Sequence, residues 1–270
     1  MNVRVTKGAD HRTTFLNLTA YHHPTTMTRQ QQFRGKPHHP PRGGIPAYIW
    51  APTIVVTGGV VMGYYACLDE VPLTKRKRFL ATSAEFERSL GDQQYKGLLQ
   101  QYKGKVLPQS HRASVTVHRV GSRIATVTQD FCKQHNLNHM ANTPFTYTVV
   151  RSDQANAFVL PGNHIFVLSG LFRYIRDEDD LAAVLGHEMA HNVARHVGER
   201  LSGSLIVNLI ASLLFFVDPS GFLTAVFTPA ANLLHELPHS RESESEADRI
   251  GIELAARACY DPKAAKRVFS

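Results

Sequence analysis

The sequence is poor in cysteine, and its few cysteines lie far apart. Three occur in 270 residues, at Cys67, Cys132 and Cys259, and no two of them form a CxxC pair. An odd number at such spacing excludes a disulfide framework, and the lack of CxxC pairs excludes a zinc cluster built from cysteines. We therefore expect reduced or buried thiols.

Acidic residues are nearly absent from residues 1–48, where Asp10 stands against seven Lys or Arg side chains. This segment has no apolar periodicity, and its composition is typical of an organellar transit peptide or, alternatively, of a disordered basic tail. From residue 79 onward the chain holds 19 basic and 19 acidic residues. The net charge of +8 therefore belongs to the N-terminal end, which argues against a nucleic-acid-binding face on the folded part.

Charged side chains are also missing from Gly43 to Leu68. Residues 49–68 supply a helix long enough to cross a hydrocarbon core of about 30 Å, so we predict a transmembrane helix there, with a buried soluble helix as the alternative. Gly59 and Gly63 would let two such helices approach closely, so a homo-oligomer is a further expectation. Basic residues flank both ends, and the charge pattern therefore does not predict the topology.

Residues 69–270 are predicted to form one mainly helical α+β domain. Amphipathic patterns indicate helices over 85–107 and 117–131. Alternating or short apolar runs, two of them around Pro161-Gly162, predict a small antiparallel sheet from the segments 145–150, 157–160 and 165–168.

Two further apolar runs, 204–217 and 221–234, flank the turn Asp218-Pro219-Ser220. Each is too short to span a bilayer as a straight helix. They are predicted to be either part of the core or a hairpin that dips into a membrane.

The strongest motif is His187-Glu188-Met189-Ala190-His191, an HExxH sequence. The motif is preceded by four acids at 177–180, and apolar residues recur at every fourth position around it. This pattern predicts one long helix over 177–201. On that helix His187 and His191 lie one turn apart on the same face, so both imidazoles can reach one tetrahedral zinc ion. Glu188 would then lie beside the metal-bound water as the general base.

A second HExxH occurs from His235 to His239, but it contains Pro238. Proline removes a helical hydrogen bond and collides with the preceding turn, so this segment is predicted to be loop or solvated surface without metal. The pair His135 and His139 has the same spacing, lacks the glutamate and is assigned in the same way.

A zinc peptidase needs a third protein ligand. His196 is nearest in sequence, but the metzincin pattern would require glycine and histidine where Ala194 and Val197 stand, so that class is excluded.

The acidic run from Ser240 to Asp248 is a better source of the third ligand. Glu244 and Asp248 lie one helical turn apart, so one can bind zinc while the other holds a ligand histidine. Spacing alone leaves the choice between Glu244 and Glu246 open.

Several short motifs occur together in this chain. They are Asn156-Ala157-Phe158, Pro161-Gly162, Gly170-Leu171, the HExxH of 187–191, and Ser240-Arg241-x-x-Glu244-x-Glu246-Ala247-Asp248. With them, about residues 69–270 resemble the HtpX and type I CAAX prenyl protease superfamily. The transit-like start, the single span and the Leu-Pro-x-Ser-Arg sequence at Leu237 are similar to its mitochondrial inner-membrane metalloendopeptidases, whose activity overlaps with that of the m-AAA protease.

The resemblance implies a gluzincin-type zinc peptidase fold and a single-pass, membrane-anchored endopeptidase. Its task would be protein quality control and processing at the mitochondrial inner membrane, with membrane proteins or misfolded proteins as substrates and no nucleic-acid partner. It also implies site roles: Glu244 as third zinc ligand, Asp248 as support for His187, Glu246 as a neighbour that is not a ligand, and a substrate-binding strand at Ala157, Phe158 and Val159. Because Glu246 lies about 200° around the helix from Glu244, we predict that its loss changes zinc binding only a few-fold.

One departure from the family pattern concerns the C-terminal end. Members usually continue past the helix at Lys263 to Val268 into a segment with His-Pro and a nearby Arg, thought to stabilise the oxyanion. This sequence stops at Ser270. Either it is incomplete or its catalysis is impaired, so the alternative function is a zinc-holding membrane scaffold without full activity.

Overall fold

The computed structural model describes residues 47–269, and within them the side chains of 47–53, 138–139 and 232–240 are not described. The transit-like prediction therefore falls almost entirely outside the described residues. The helices are α1 (Ala47–Ala66), α2 (Ala84–Gln101), α3 (Arg112–Gln134), α4 (Asn138–Ala141), α5 (Glu178–Val193), α6 (His196–Val217), α7 (Phe222–Arg257) and α8 (Lys263–Phe269). The strands are β1 (Leu68–Glu70), β2 (Lys77–Phe79), β3 (Thr146–Val150), β4 (Ala157–Leu160) and β5 (His164–Leu168), and a 3₁₀ turn covers Ser169–Arg173.

Helix α5 lies at the centre of the core. Its N-cap Asp177 accepts a hydrogen bond from the Asp180 N–H, and acids fill its first turn, which suits the positive end of the helix dipole. It packs against α3, α7, α8 and strand β4. Residues at helical spacing on α3, α5 and α7 are fully buried between them, among them Ile124, Phe131, Leu185, Met189, Ile250 and Leu254. The mainly helical α+β prediction is therefore confirmed.

The three-stranded sheet differs from the predicted antiparallel one. The hairpin of β4 and β5 is antiparallel as expected, but β3 pairs with β5 in parallel, so the strand order is β3-β5-β4. Strand β5 takes the centre because its apolar side chains, Ile165 to Leu168, are buried on both faces, whereas β4 is half-buried at an edge. A second, unpredicted sheet pairs β1 with β2, both only three residues long.

The predicted single helix over 177–201 is wrong, because the chain turns at Arg195. Helix α5 ends at Val193, and Arg195 adopts a left-handed conformation with φ 52° before α6 begins. The Arg195 guanidinium donates to Glu87 and to the Thr82 carbonyl, and these bonds hold an otherwise unfavourable backbone. As a result His196 folds back toward His191 instead of continuing along the helix.

Of the two alternatives predicted around Pro238, loop or solvated surface, the loop is wrong, since α7 continues from Phe222 to Arg257. The local cost of an internal proline is outweighed by the packing of α7 against α5 and α6. The side chains of His235 and His239 lie outside the described residues, so their exclusion as metal ligands stays a prediction.

Helix α6 is exposed, which contradicts the core alternative for residues 204–217. Among the described residues, it is the one helix long and apolar enough to cross a membrane, and 17 % of its apolar stretch is buried. Several of its large apolar side chains are more than half exposed: Leu205, Leu209, Leu213, Phe215, Phe216 and Val217. Helix α1 includes a shorter apolar stretch, Ile54–Ala66, that is likewise exposed.

Candidate metal centre

Helices α5 and α7 cross at two glycines beside the HExxH motif. A Cβ on Gly251 would lie 2.8 Å from the backbone N and Cα of His187, and one on Gly186 would lie 2.9 Å from the Gly251 carbonyl oxygen. Real Cβ atoms do not approach so closely, so the two backbones meet only because both positions lack a side chain. This contact brings the acidic part of α7 next to His187 and His191.

Three ligand atoms converge at the crossing. His187 Nε2 lies 3.0 Å from His191 Nε2 and 3.3 Å from Glu244 Oε2, and the His191 Nε2 to Glu244 Oε2 distance is 3.8 Å. Both histidines are largely buried, while the Glu244 side chain is 55 % exposed. One side of the cluster therefore opens to solvent.

The outer nitrogens of the two imidazoles have partners of their own. His187 Nδ1 lies 3.0 Å from Asp248 Oδ1, and His191 Nδ1 lies 2.8 Å from His196 Nδ1. A carboxylate accepts only, so His187 carries its hydrogen on Nδ1 and its Nε2 holds a free lone pair. Burial, then the neighbouring His196 and His187, lower the pKa of His191 to about 3, which keeps this ring neutral.

This donor set fits a metal ion. With the hydrogens on the outer nitrogens, two lone pairs and a carboxylate oxygen point at one another with no proton to share. Ligand atoms on a tetrahedral zinc ion at about 2.0–2.1 Å would lie about 3.3 Å apart, close to the observed separations. Two histidines, one glutamate and an open side match the ligand set of catalytic zinc sites.

Glu188 lies next to the ligands and to the edge of the sheet. The backbone N–H of Val159 in β4 donates to Glu188 Oε2 at 3.2 Å. Burial raises the pKa of Glu188 to about 8, against the opposing effect of that hydrogen bond. The same edge strand contains Ala157 and Phe158, the other residues predicted to contact substrate.

Behind His191 lies a group of charged residues that spacing did not indicate. His196 Nε2 lies 3.1 Å from Glu246 Oε2, and Glu246 accepts hydrogen bonds from Arg76 and Thr74. Burial would raise the pKa of Glu246, but bonds from His196, Arg76 and Thr74 outweigh it and hold that pKa well below its usual value.

The structure thus brings His187, Glu188, His191, Glu244 and Asp248 together, and it places Glu246 near them but outside the ligand triangle. Sequence reasoning missed the positions of His196 and Arg76. The first depends on the turn at Arg195, and the second on the unpredicted hairpin of β1 and β2, so no local pattern could reveal either.

Residues 117–269, more than half of the chain, match Peptidase family M48. The chain therefore belongs to this family of metallopeptidases, in agreement with the resemblance seen in its motifs.

Its relatives include mitochondrial metalloendopeptidases named OMA1. The chain is 37 % identical to the one from Schizosaccharomyces pombe over 82 % of its own length and 30 % identical to the one from Saccharomyces cerevisiae over 78 %. It covers 61 % of the length of each of these two proteins. A putative beta-barrel assembly-enhancing protease from Vibrio cholerae is 35 % identical to the chain. That match covers 50 % of this chain and 30 % of the Vibrio protein.

Proposed function

We propose that the chain is a zinc-dependent endopeptidase anchored in the mitochondrial inner membrane, where it cleaves membrane proteins or misfolded proteins during quality control. The observation that carries the proposal is the convergence of His187, His191 and Glu244 beside Glu188 and an edge strand. Membership of Peptidase family M48 and the mitochondrial OMA1 relatives support the class of reaction and the compartment.

In this proposal, His187 and His191 with Glu244 hold the zinc ion, and Asp248 fixes the ring of His187. When bound, zinc acidifies a coordinated water and polarises the scissile carbonyl. Glu188 accepts a proton as the water oxygen attacks the carbonyl carbon, and it delivers that proton to the amide nitrogen as the C–N bond breaks. The alternative of an impaired zinc scaffold is not favoured, because the chain belongs to a peptidase family and its relatives are named metalloendopeptidases.

Strand β4 is the proposed docking site for substrate. It lies at the end of the three-stranded sheet, and the Val159 N–H points away from β5 toward Glu188. An extended peptide can therefore add to this edge along Ala157, Phe158 and Val159, through the outward main-chain groups of Ala157 and Val159, since those of Phe158 face β5, and this leaves specificity broad. Its scissile bond would then lie near Glu188.

Membrane anchoring is proposed through two apolar elements that meet at one cavity. Tyr64 and Tyr65 at the end of α1 line one cavity together with Ile206 and Val207 of α6. The predicted span over 49–68 and the exposed α6–α7 hairpin would then enter the same bilayer, which the large exposed apolar area of both supports. The metal centre lies at the C-terminal end of α5, beside α7. In this arrangement it would face juxtamembrane segments of substrates.

The test replaces the general base without disturbing the ligands. Glu188→Gln keeps the shape of the side chain but removes the proton acceptor, so we expect bound zinc to be retained and casein cleavage to fall by about 100-fold or more. Zinc is measured by elemental mass spectrometry on the same preparations.

A paired control uses the second HExxH sequence: His235→Ala with His239→Ala should leave both zinc content and cleavage unchanged. Cleavage by Glu188→Gln at the wild-type rate, or loss of zinc in the paired control, would contradict the proposal.

A further inference from the structure

A buried chain of contacts runs from the outer nitrogen of His191 to the loop between β1 and β2. His191 contacts His196, His196 contacts Glu246, and Glu246 contacts Arg76. His196 is 3 % exposed and Glu246 is 5 % exposed, so water does not compete for these contacts.

The hydrogens along this chain can be assigned in only one direction if His191 uses Nε2 for the metal. Its Nδ1 then donates to His196 Nδ1 at 2.8 Å, which leaves the hydrogen of His196 on Nε2. That nitrogen lies 3.1 Å from Glu246 Oε2 and donates to it. The orientation of His191 therefore depends, through His196, on an acceptor at position 246.

Glu246 is itself held in place by the loop after β1. Thr74 Oγ1 donates to its Oε1 at 2.7 Å, and Arg76 donates to both of its oxygens, at 2.9 Å from Nε and 2.8 Å from Nη2. The same guanidinium donates to both oxygens of Glu199 at 2.7 Å. Arg76 is therefore bidentate on two carboxylates, a geometry that a lysine cannot reproduce.

The loop that presents these groups has an unusual backbone. Leu73 and Lys75 both have positive φ, 69° and 59°, and they alternate with Thr74 and Arg76. Residues with a Cβ hold this conformation only where their surroundings enforce it, and such residues concentrate at functional sites. Strand β2 makes a further contact with the end of α5, because Arg78 donates a hydrogen bond to the Ala194 carbonyl.

We propose that Arg76, acting through Glu246 and His196, is a positioning residue for the metal ligand His191. The inference rests on the proposed function, because it assumes that His191 binds the metal through Nε2. It gives Glu246 a larger role than that of a mere neighbour of Glu244: the carboxylate fixes the hydrogen positions and the ring orientation of a ligand. Loss of outer partners of this kind lowers metal affinity by about 10- to 100-fold.

The test measures Zn²⁺ affinity by chelator competition on the full chain for Arg76→Gln, Arg76→Lys and Glu246→Gln. We expect Zn²⁺ affinity to fall approximately 10-fold in both Gln variants. Arg76→Gln removes the guanidinium that holds Glu246, and Glu246→Gln places an amide donor where the carboxylate accepts from both Arg76 and His196. Arg76→Lys should be intermediate, because it keeps the charge but not the paired bonds. The double variant of Arg76→Gln with Glu246→Gln should bind Zn²⁺ no more weakly than the weaker-binding single variant, because both substitutions interrupt the same series of contacts.

Two further readouts separate positioning from mere loss of stability. The visible spectrum of the Co²⁺-loaded protein should shift in the affected variants, because it reports the geometry around the ion. The matched control is Glu242→Gln, the same change one turn earlier on α7. The Glu242 side chain is 56 % exposed, and its Oε2 lies 3.7 Å from Arg76 Nη1. It should leave the affinity and the spectrum unchanged.

His187→Ala distinguishes failure of the inference from failure of the proposed function. If this variant still binds Zn²⁺ like the wild type, the proposed metal site is wrong. If it loses the ion while Arg76→Gln and Glu246→Gln keep wild-type affinity and spectrum, the positioning role alone is overturned. Should Arg76→Gln fail to fold, Glu246→Gln and Arg76→Lys decide the question by the same measurements.

Discussion

At the scale of single residues, the two carboxylates around His187 have different parts in the proposed site. Glu244 Oε2 lies 3.3 Å from the inner nitrogen of His187, and Asp248 Oδ1 lies 3.0 Å from the outer one. They are one turn apart on α7, so one helix face supplies both a ligand and the partner that orients a second ligand.

This difference predicts an order of effects on zinc affinity. Glu244→Gln removes a ligand charge and should weaken binding most, beyond 100-fold, whereas Asp248→Asn disturbs only the orientation of His187 and should cost about 10- to 100-fold. Isothermal titration with zinc measures both. Tighter binding by Glu244→Gln than by Asp248→Asn would reverse the assignment of ligand and support.

The convergence of His187 and His191 could be predicted from sequence, because it depends only on helical spacing. The role of Glu244 could not be fixed from spacing, since Glu246 is as good a carboxylate two residues away. What separates them is the rotation of α7 against α5, which depends on packing. His196 was rejected as a ligand on a family pattern, and its contact with His191 could not be foreseen because it depends on the turn at Arg195.

At the scale of elements, the proposed metal centre depends on the close crossing of α5 and α7. Gly251 approaches the backbone of His187, and α7 carries Glu244 and Asp248 on the turns before it. Any side chain at the crossing would push the two helices apart and separate the ligands.

Gly251→Ala is therefore expected to act against the usual preference of helices. Alanine normally stabilises a helix interior by about 1 kcal/mol over glycine. Here the new Cβ would meet His187 backbone atoms at 2.8 Å, so we expect a lower melting temperature and at least about 10-fold weaker zinc binding.

The matched control for this substitution is Gly97→Ala in α2, where nothing lies within 4 Å of the new Cβ. It should raise the melting temperature slightly and leave zinc binding unchanged. An equal stabilisation by both substitutions would show that the crossing tolerates a side chain and that its closeness does not shape the site.

Most elements could be predicted from periodicity, but their ends and pairings could not. The amphipathic pattern of α3 gives its buried face, with Val117 and Ile124 fully buried as expected. The parallel pairing of β3 with β5 depends instead on which strand is buried on both faces. Similarly, α7 continues through Pro238 because tertiary packing outweighs a local preference.

At the scale of the whole molecule, the proposal of membrane anchoring rests on the exposed apolar surfaces of α1 and of the α6–α7 hairpin. The described part of α1 is exposed, and Phe216 at the end of α6 is 82 % exposed. The sequence left core and membrane hairpin open for α6, and only its exposure in the fold favours the second.

A fluorescence experiment tests whether the hairpin enters the bilayer. With Trp50→Phe as background, Phe216→Trp should be quenched by brominated lipids in liposomes that contain the full chain. The control is Tyr174→Trp, which is also exposed but precedes α5, at the opposite end of that helix from α6. Equal quenching at the two positions would remove the support for hairpin insertion.

The central claim is that His187, His191 and Glu244 hold one zinc ion. The most direct measurement is an anomalous difference map at the zinc absorption edge from crystals of the zinc-loaded protein. We predict one strong peak about 2.0–2.2 Å from His187 Nε2, His191 Nε2 and Glu244 Oε2. A peak at His235 and His239 instead, or no peak among the three predicted ligands, would contradict this account.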